Sequence, residues 1–254
     1  MSIKIKTEKE LEIMKEGGKM LASILKDLAK AVKPGITTQD LDKLAQELVF
    51  KFGARSSFLN YNGYPSVLCT SVNNEIVHGV PSARRLEKGD LLKLDMGVLH
   101  KGFHTDSAVT MMVGGGLAFN KSSLLKKKLI NITRESLEIG IKEANVGNTT
   151  GDVGSAIQKY VEKNKFNVVR ELVGHGVGRE LHEPPQVPNY GRPGEGEKLQ
   201  SGMVIAIEPM VVAGDWKIEE GPDGFVFQTK DGGLAAHFEH TVAITEKGPL
   251  VLTR

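Results

Sequence analysis

Gly35-Ile36-Thr37-Thr38-Gln39-Asp40-Leu41 is answered 112 residues later by Gly147-Asn148-Thr149-Thr150-Gly151-Asp152-Val153. The glycine, both threonines, the aspartate and an aliphatic residue keep their places. Beyond them Leu44, Leu48 and Val49 fall on Ala156, Tyr160 and Val161. A threonine at a helix start satisfies a free backbone N–H, so each copy opens a helix; Thr37 or Thr38 caps the first. That helix turns Leu41, Leu44, Leu48 and Phe52 inward. Ahead of each copy lies a longer helical pattern. Residues 8–32 place Leu11, Met14, Leu21, Ile24, Leu25 and Leu28 at helical spacing before Pro34-Gly35 stops the run, and residues 121–144 turn Leu125, Leu129, Ile132 and Leu137 inward.

Strands follow the helices. Residues 66–71 and 75–78 are β-prone and separated by Val72-Asn73-Asn74. Residues 90–99 and 104–113 form a hairpin through His100-Lys101-Gly102-Phe103, and Gly114-Gly115-Gly116 breaks the chain. Two helices followed by strands thus occur twice, which predicts a duplicated α+β unit with pseudo-two-fold symmetry. The halves run from about 8 to 116 and 120 to 250 within one domain of residues 1–254. The plainer alternative is two unrelated helices with a threonine cap in common. A duplicated fold places its site in the cleft between halves.

Bulk properties narrow the function. A net charge of +2 from mixed signs gives no argument for DNA or a membrane surface. The one cysteine, Cys69, excludes an internal disulfide and fits a reducing compartment. Residues 1–10 alternate Lys and Glu without an apolar run, unlike a secretory signal, and no run is long enough for a membrane span. The expectation is a cytoplasmic protein.

Four places carry chemistry. Asp95 interrupts the apolar run Leu91-Leu92-Lys93-Leu94-Asp95-Met96-Gly97, and Asp106 lies on the return strand, so the hairpin can set two carboxylates side by side. Buried like charges repel unless a proton or cation sits between them; taken alone, though, the pair reads more readily as two ordinary turn or strand-end aspartates. Gly174-His175-Gly176-Val177-Gly178-Arg179-Glu180-Leu181-His182-Glu183-Pro184-Pro185 carries three glycines in five residues, a sign of close backbone approach, and two imidazoles able to bind a transition metal. Glu208 ends the apolar run 203–207, and Glu239 stands in Phe238-Glu239-His240-Thr241. Asp95 and Glu208 are 113 residues apart, nearly the repeat offset. Four carboxylates and one imidazole (Asp95, Asp106, Glu208, Glu239 and His175) suit two divalent ions such as Mn, Fe, Co or Zn rather than a thiolate-rich structural zinc cage.

With these motifs in order, the chain resembles type I methionine aminopeptidases, members of the group with the duplicated pita-bread fold. The resemblance also rests on Asn60-Tyr61-Asn62-Gly63-Tyr64-Pro65, Cys69-Thr70-Ser71-Val72-Asn73, Val77-His78-Gly79-Val80-Pro81, His182-Glu183-Pro184-Pro185-Gln186-Val187 and Ile207-Glu208-Pro209-Met210. It implies that Asp106 and Glu239 bridge both ions, Asp95 completes one shell, and His175 with Glu208 completes the other. It further implies a hydroxide nucleophile between the ions, proton transfer by Glu208, oxyanion stabilisation by His182 and a hydrogen bond from His78 to the substrate backbone. The same resemblance implies a methionine pocket of Tyr61, Tyr64, Cys69 and His78, with a narrow exit that admits only small second residues. The partners it implies are the N-termini of nascent polypeptides.

Three departures stand out. Leu181 replaces a common Phe, Phe225 a common Trp, and His237 a common Gln; the first two reshape the pocket rim, and His237 shares a strand face with Glu239. A different first-residue preference therefore stays open. So does a catalytically dead relative that binds peptides or RNA, although such proteins normally lose ligands and this chain keeps all five. Lys126-Lys127-Lys128 suits either a transient ribosome contact or a solvated helix face, the commoner role. The oligomeric expectation is a monomer.

Overall fold

The computed structural model describes residues 3–115 and 121–254. Gly116 of the glycine break, and residues 1 and 120 that bound the expected domain and second half, lie outside the described residues. The described residues form four α-helices: α1 (Glu8–Ala31), α2 (Thr38–Lys51), α3 (Lys121–Glu143) and α4 (Thr150–Lys163). Thr37 caps α2 and Thr149 caps α4. Each hydroxyl accepts from the backbone N–H three residues on, and the aspartate there (Asp40, Asp152) accepts the threonine's own N–H. These reciprocal boxes satisfy donors that every helix start leaves free.

The repeat extends to distant partners. Gly35 donates to the Leu86 carbonyl at 2.8 Å, and Gly147 to that of Leu199 at 3.0 Å. Thr37 forms an isolated antiparallel bridge with Arg85, and Thr149 one with Lys198. Two unrelated helices with similar caps would not reproduce these contacts, so the halves are structural copies.

The main sheet has nine strands. Its path runs Arg55–Ser56, Leu91–His100, Phe103–Met112, Glu239–Thr245, Val204–Ile207, Gly174–Gly176 and Glu183–Val187; Cys69–Val72 and Gly248–Val251 pair off the path. The hairpin turns tightly at Lys101 and Gly102, with φ of 47° and 83°, as a two-residue β-turn between right-twisted strands requires. Two three-stranded sheets complete the β structure among the described residues, one of them joining Asn167–Val168, Met210–Val212 and Ala235–His237.

Each half has its own core. Leu21, Leu25, Leu28, Leu41 and Leu48 pack under the first half, with Leu44 and Phe52 at its edge; Leu129, Ile132, Leu137, Val153 and Ile157 pack under the second. Leu125 departs from expectation and is 40% exposed. It lies four residues before Leu129, so the face is right, but α3 has no buried residue before Leu129. The helix starts before it reaches the sheet. Among the described residues no helix is long and apolar enough to cross a membrane.

Candidate metal centre

The five residues expected as ligands come from five places in the sheet. Asp95 is on Leu91–His100, Asp106 on Phe103–Met112, His175 on Gly174–Gly176, Glu208 just beyond Val204–Ile207, and Glu239 at the head of Glu239–Thr245. Asp95 pairs with Ala108 and Asp106 with Gly97, so each acid faces a small residue. One ligand atom each from Asp106, His175 and Glu239 lies within 4.8 Å of the others. His175 Nε2 is 3.5 Å from one Glu208 oxygen, and His237 Nε2 is 3.5 Å from the other.

Hydroxyl groups brace the join between the halves, where only Glu239–Ala108 and His240–Ser107 pair in register. Thr241 Oγ1 donates to the Asp106 carbonyl and accepts the Asp106 N–H, both at 2.8 Å. Ser107 Oγ donates to the Glu239 carbonyl at 2.7 Å. Thr110 Oγ1 donates to the His237 carbonyl at 2.6 Å and accepts its N–H at 2.9 Å. Both acids are thereby fixed by their own backbones, which leaves the carboxylates free to face the cleft. Thr241 stands in a motif quoted for Glu239, but nothing in the sequence marks its bracing role.

The electrostatics call for cations. Burial drives the carboxyls of Asp95, Glu208 and Glu239 well above their ordinary range, with the charges of their acidic neighbours adding to it; burial lifts Asp106 to about 7 against one N–H bond from Ser107. Asp95 Oδ1 and Glu239 Oε1 are buried without any hydrogen-bond partner, a costly state for such atoms. Among the described residues no lysine or arginine lines the cleft. Lys93, two residues before Asp95, is buried but donates to the carbonyls of Asn73 and Ala235, at 2.9 and 3.1 Å. Burial, then the nearby His182, drives His175 down to about 3. The ring is neutral, and Nδ1 donates to the Gly176 carbonyl at 2.9 Å. Nε2 therefore keeps its lone pair on the side of Glu208. Orphaned carboxylate oxygens beside a neutral imidazole form a donor set that fits divalent metal ions.

The glycines at 174 and 176 make the close backbone approach that their spacing suggests. A Cβ on Gly174 would lie 2.4 Å from the Ala206 carbonyl oxygen, and one on Gly176 2.2 Å from that of Pro184. The close approach is to neighbouring strands, which lets the His175 strand fit between them.

The cleft above these ligands, ≈ 640 Å³, is lined also by Tyr61, Tyr64, Cys69, His78, Leu181, His182 and Phe225. All the residues expected at the site thus face one cavity. Tyr64 donates to the carbonyls of Leu68 and Gly79 and packs edge-on against Phe225, ring centroids 5.5 Å apart. Burial, then the Asp95 charge, drives the Cys69 thiol well up, so it stays protonated. His78 sits at φ 60° with its ring edge-on to Phe227, and burial, then His182, brings it down to about 4. His182 Nδ1 meets the Tyr61 hydroxyl at 2.8 Å, and its ring stands edge-on to His175, 4.2 Å between centroids.

The sequence reading missed Phe58, Leu172 and Met210, which also line the cavity. It missed His104 as well, whose Nδ1 is 2.9 Å from Ser57 Oγ. Apolar residues of this kind carry no chemical signature beyond burial. Of the lysine run, Lys126 donates to the Gly89 carbonyl at 2.6 Å and Lys128 to that of Asn164 at 2.8 Å. Both are tied to their own fold.

Comparison with known proteins agrees with this geometry. The model of metallopeptidase family M24 matches residues 12–246. The chain belongs to family M24. Its similarity to methionine aminopeptidases within that family is high. It is 48% identical to the methionine aminopeptidase of Clostridium perfringens over 249 residues, covering 98% of each chain. The crystal structure of methionine aminopeptidase from Thermotoga maritima superposes with a TM-score of 0.95 at 45% identity, covering 100% of both chains. The prolidase of Pyrococcus furiosus superposes at 0.77 and 24% identity, with 98% of this chain and 65% of that one covered, and at that distance the likeness shows the pita-bread fold alone. This M24 member is an aminopeptidase, a hydrolase of the metal-dependent class.

Proposed function

We propose that this M24 enzyme removes the N-terminal methionine from nascent proteins and peptides whose second residue is small, working with two divalent cations. The observation that carries the reading is the cluster of four buried carboxyls around a neutral His175, with orphaned oxygens and, among the described residues, no lysine or arginine lining the cleft. Four ionised carboxylates balance two divalent ions, whereas a single ion would leave excess charge buried. Asp106 and Glu239 would be shared by both ions, with Asp95 on one and His175 and Glu208 on the other. Co, Fe, Mn or Zn satisfy such a donor set. When bound, the ions supply Lewis acidity and lower the pKa of water toward ~7.

The chain's own residues do the rest. Glu208 takes a proton from the attacking water and delivers it to the leaving amine. The Tyr61 hydroxyl donates to His182 Nδ1, which leaves Nε2–H as the donor that stabilises the oxyanion. Neutral His78 hydrogen-bonds the substrate backbone. Tyr61, Tyr64, Cys69 and His78 enclose the methionine side chain, and a protonated thiol keeps that pocket uncharged. Leu181 and Phe225 form its rim. The cleft draws its candidate ligands from both halves, which supports one catalytic domain over residues 1–254 acting as a monomer; its place on this reading is the cytoplasm, where nascent chains emerge.

Hydrolysis of Met-Ala-Ser by metal-reconstituted protein tests this directly. Activity is expected to disappear with EDTA and to return with metal, and metal analysis should find two ions per chain. A panel of X-Ala-Ser peptides should single out methionine; equal rates for leucine or alanine in first place would overturn the specificity.

A further inference from the structure

The amino-terminal arm reaches the catalytic loop through one buried ion pair. Lys6 Nζ lies 2.8 Å from Glu183 Oε2, with only 4% and 2% of the two side chains exposed. The arm is fastened beside it, because the Lys6 N–H donates to the Gly202 carbonyl at 2.7 Å. The other Glu183 oxygen accepts the backbone N–H of Glu180 at 3.2 Å, closing the loop 180–183 on itself. Space for the pair comes from Gly178. A Cβ there would stand 2.6 Å from Lys6 Cε and 2.7 Å from Glu183 Oε1. Burial tends to raise the Glu183 pKa, but the Lys6 hydrogen bond, the Glu180 N–H and the charges of Lys6 and Lys4 outweigh it and hold the carboxyl below its usual range.

His182 is the residue next to Glu183. Neighbouring side chains at a strand head point to opposite sides: Glu183 turns to the arm, and His182 to Tyr61 and the His175 ring. We propose that Lys6 is a positioning residue for His182, its buried ammonium clamping Glu183 so that the adjoining imidazole is held over the carboxylate cluster. The ion pair spans 177 residues of sequence, and removing the lysine leaves the buried carboxylate only the half-exposed Lys4 ammonium, 3.9 Å from its other oxygen, a weaker partner. The loop then relaxes, and the imidazole swings away from its working position. The inference rests on the reading of His182 as the oxyanion donor.

The test is a double-mutant cycle on the full, metal-reconstituted chain with Met-Ala-Ser. Lys6→Met is expected to lower kcat about tenfold with KM within about twofold, because a small displacement of a positioned group is costly. Lys6→Arg should recover most of that loss. His182→Ala alone should cost about 100-fold, and adding Lys6→Met to it should cost less than about twofold more, since the two changes act through one group. In metal-free protein, the ring-proton resonances assigned by their loss in His182→Ala should shift in Lys6→Met and return in Lys6→Arg. Should Lys6→Met not fold, Glu183→Gln keeps the side-chain shape, removes the charge and is expected to give the same cycle. Independent, multiplying effects of Lys6→Met and His182→Ala, or unmoved ring resonances, overturn the positioning role while leaving His182 its own. An unchanged kcat in His182→Ala overturns the reading of His182, and this inference with it.

Discussion

In the first half of the main sheet Leu91 pairs with Met112, Asp95 with Ala108 and Asp106 with Gly97; in the second half Val204 pairs with Ala243 and Ile207 with His240, and the adjoining three-stranded sheet carries the register on by pairing Met210 with His237. The registers are the same and the chemistry is not. Superimposed, they set Glu208 on Asp95, Glu239 on Ala108 and His237 on Asp106. At the join Glu239 pairs with Ala108 itself, so that pair lies on the pseudo-two-fold axis. Two acids there would collide, and alanine yields the space to one glutamate. The off-axis pair differs in charge, with a carboxylate in one half and, in the other, an imidazole whose two nitrogens are buried without hydrogen-bond partners. Duplication therefore supplies the frame of the site, and departures from symmetry supply its unequal candidate ligands.

The largest effect should come from the residues that have no symmetric substitute. Asp106→Asn and Glu239→Gln should each lower kcat for Met-Ala-Ser by more than about 100-fold, and metal content per chain should fall with it. A variant with wild-type rate and content would strike its residue from the ligand set.

His237→Gln should act more mildly, with about a tenfold loss of metal affinity by calorimetric titration. Unaltered affinity would make the second-half imidazole irrelevant to Glu208 and would sharpen the contrast with Asp106.

A pH series on metal-free protein reads the same contrast through stability. Burial lifts Asp106 to about 7 from an ordinary 3.8. The folded state then binds that proton more tightly than the unfolded state, so this contribution to stability is present at low pH and is lost as pH rises through about 7. Burial brings His175 and His237 down to about 3, which has the opposite slope, so the useful quantity is the Tm of Asp106→Asn minus that of wild type. That difference should grow from about pH 4 to about pH 8. A flat difference would mean that Asp106 is not crowded as described.

The two helix caps should give the smallest effect and the most symmetric. Thr37→Ala and Thr149→Ala should each cost about 1 kcal/mol in urea unfolding. Clearly unequal losses would show that the two copies no longer perform the same structural task.

The duplication was legible because caps and apolar periodicity are local properties. The carboxylates were legible because a charge inside an apolar strand is conspicuous. Residues whose partners are remote in sequence were not. The arm shows why: Ile5 is 50% exposed while Lys6 is 7% exposed, the reverse of what their side chains suggest, and the remote Glu183 is the charged partner that accounts for it. Thr110, Ser107 and Thr241 look like ordinary strand residues until the halves are joined. Leu125 has the right spacing in a stretch of helix that precedes any partner, and periodicity carries no information about where a neighbour begins.

The braced join also bears on biosynthesis. Asp95 and Asp106 leave the ribosome long before Glu208 and Glu239 have been made, and a nascent chain bearing only the first half holds two acids of the set. Ion capture must wait for the later strand to dock alongside the earlier hairpin. Under the proposed ligand set, the centre is complete only once that strand has docked.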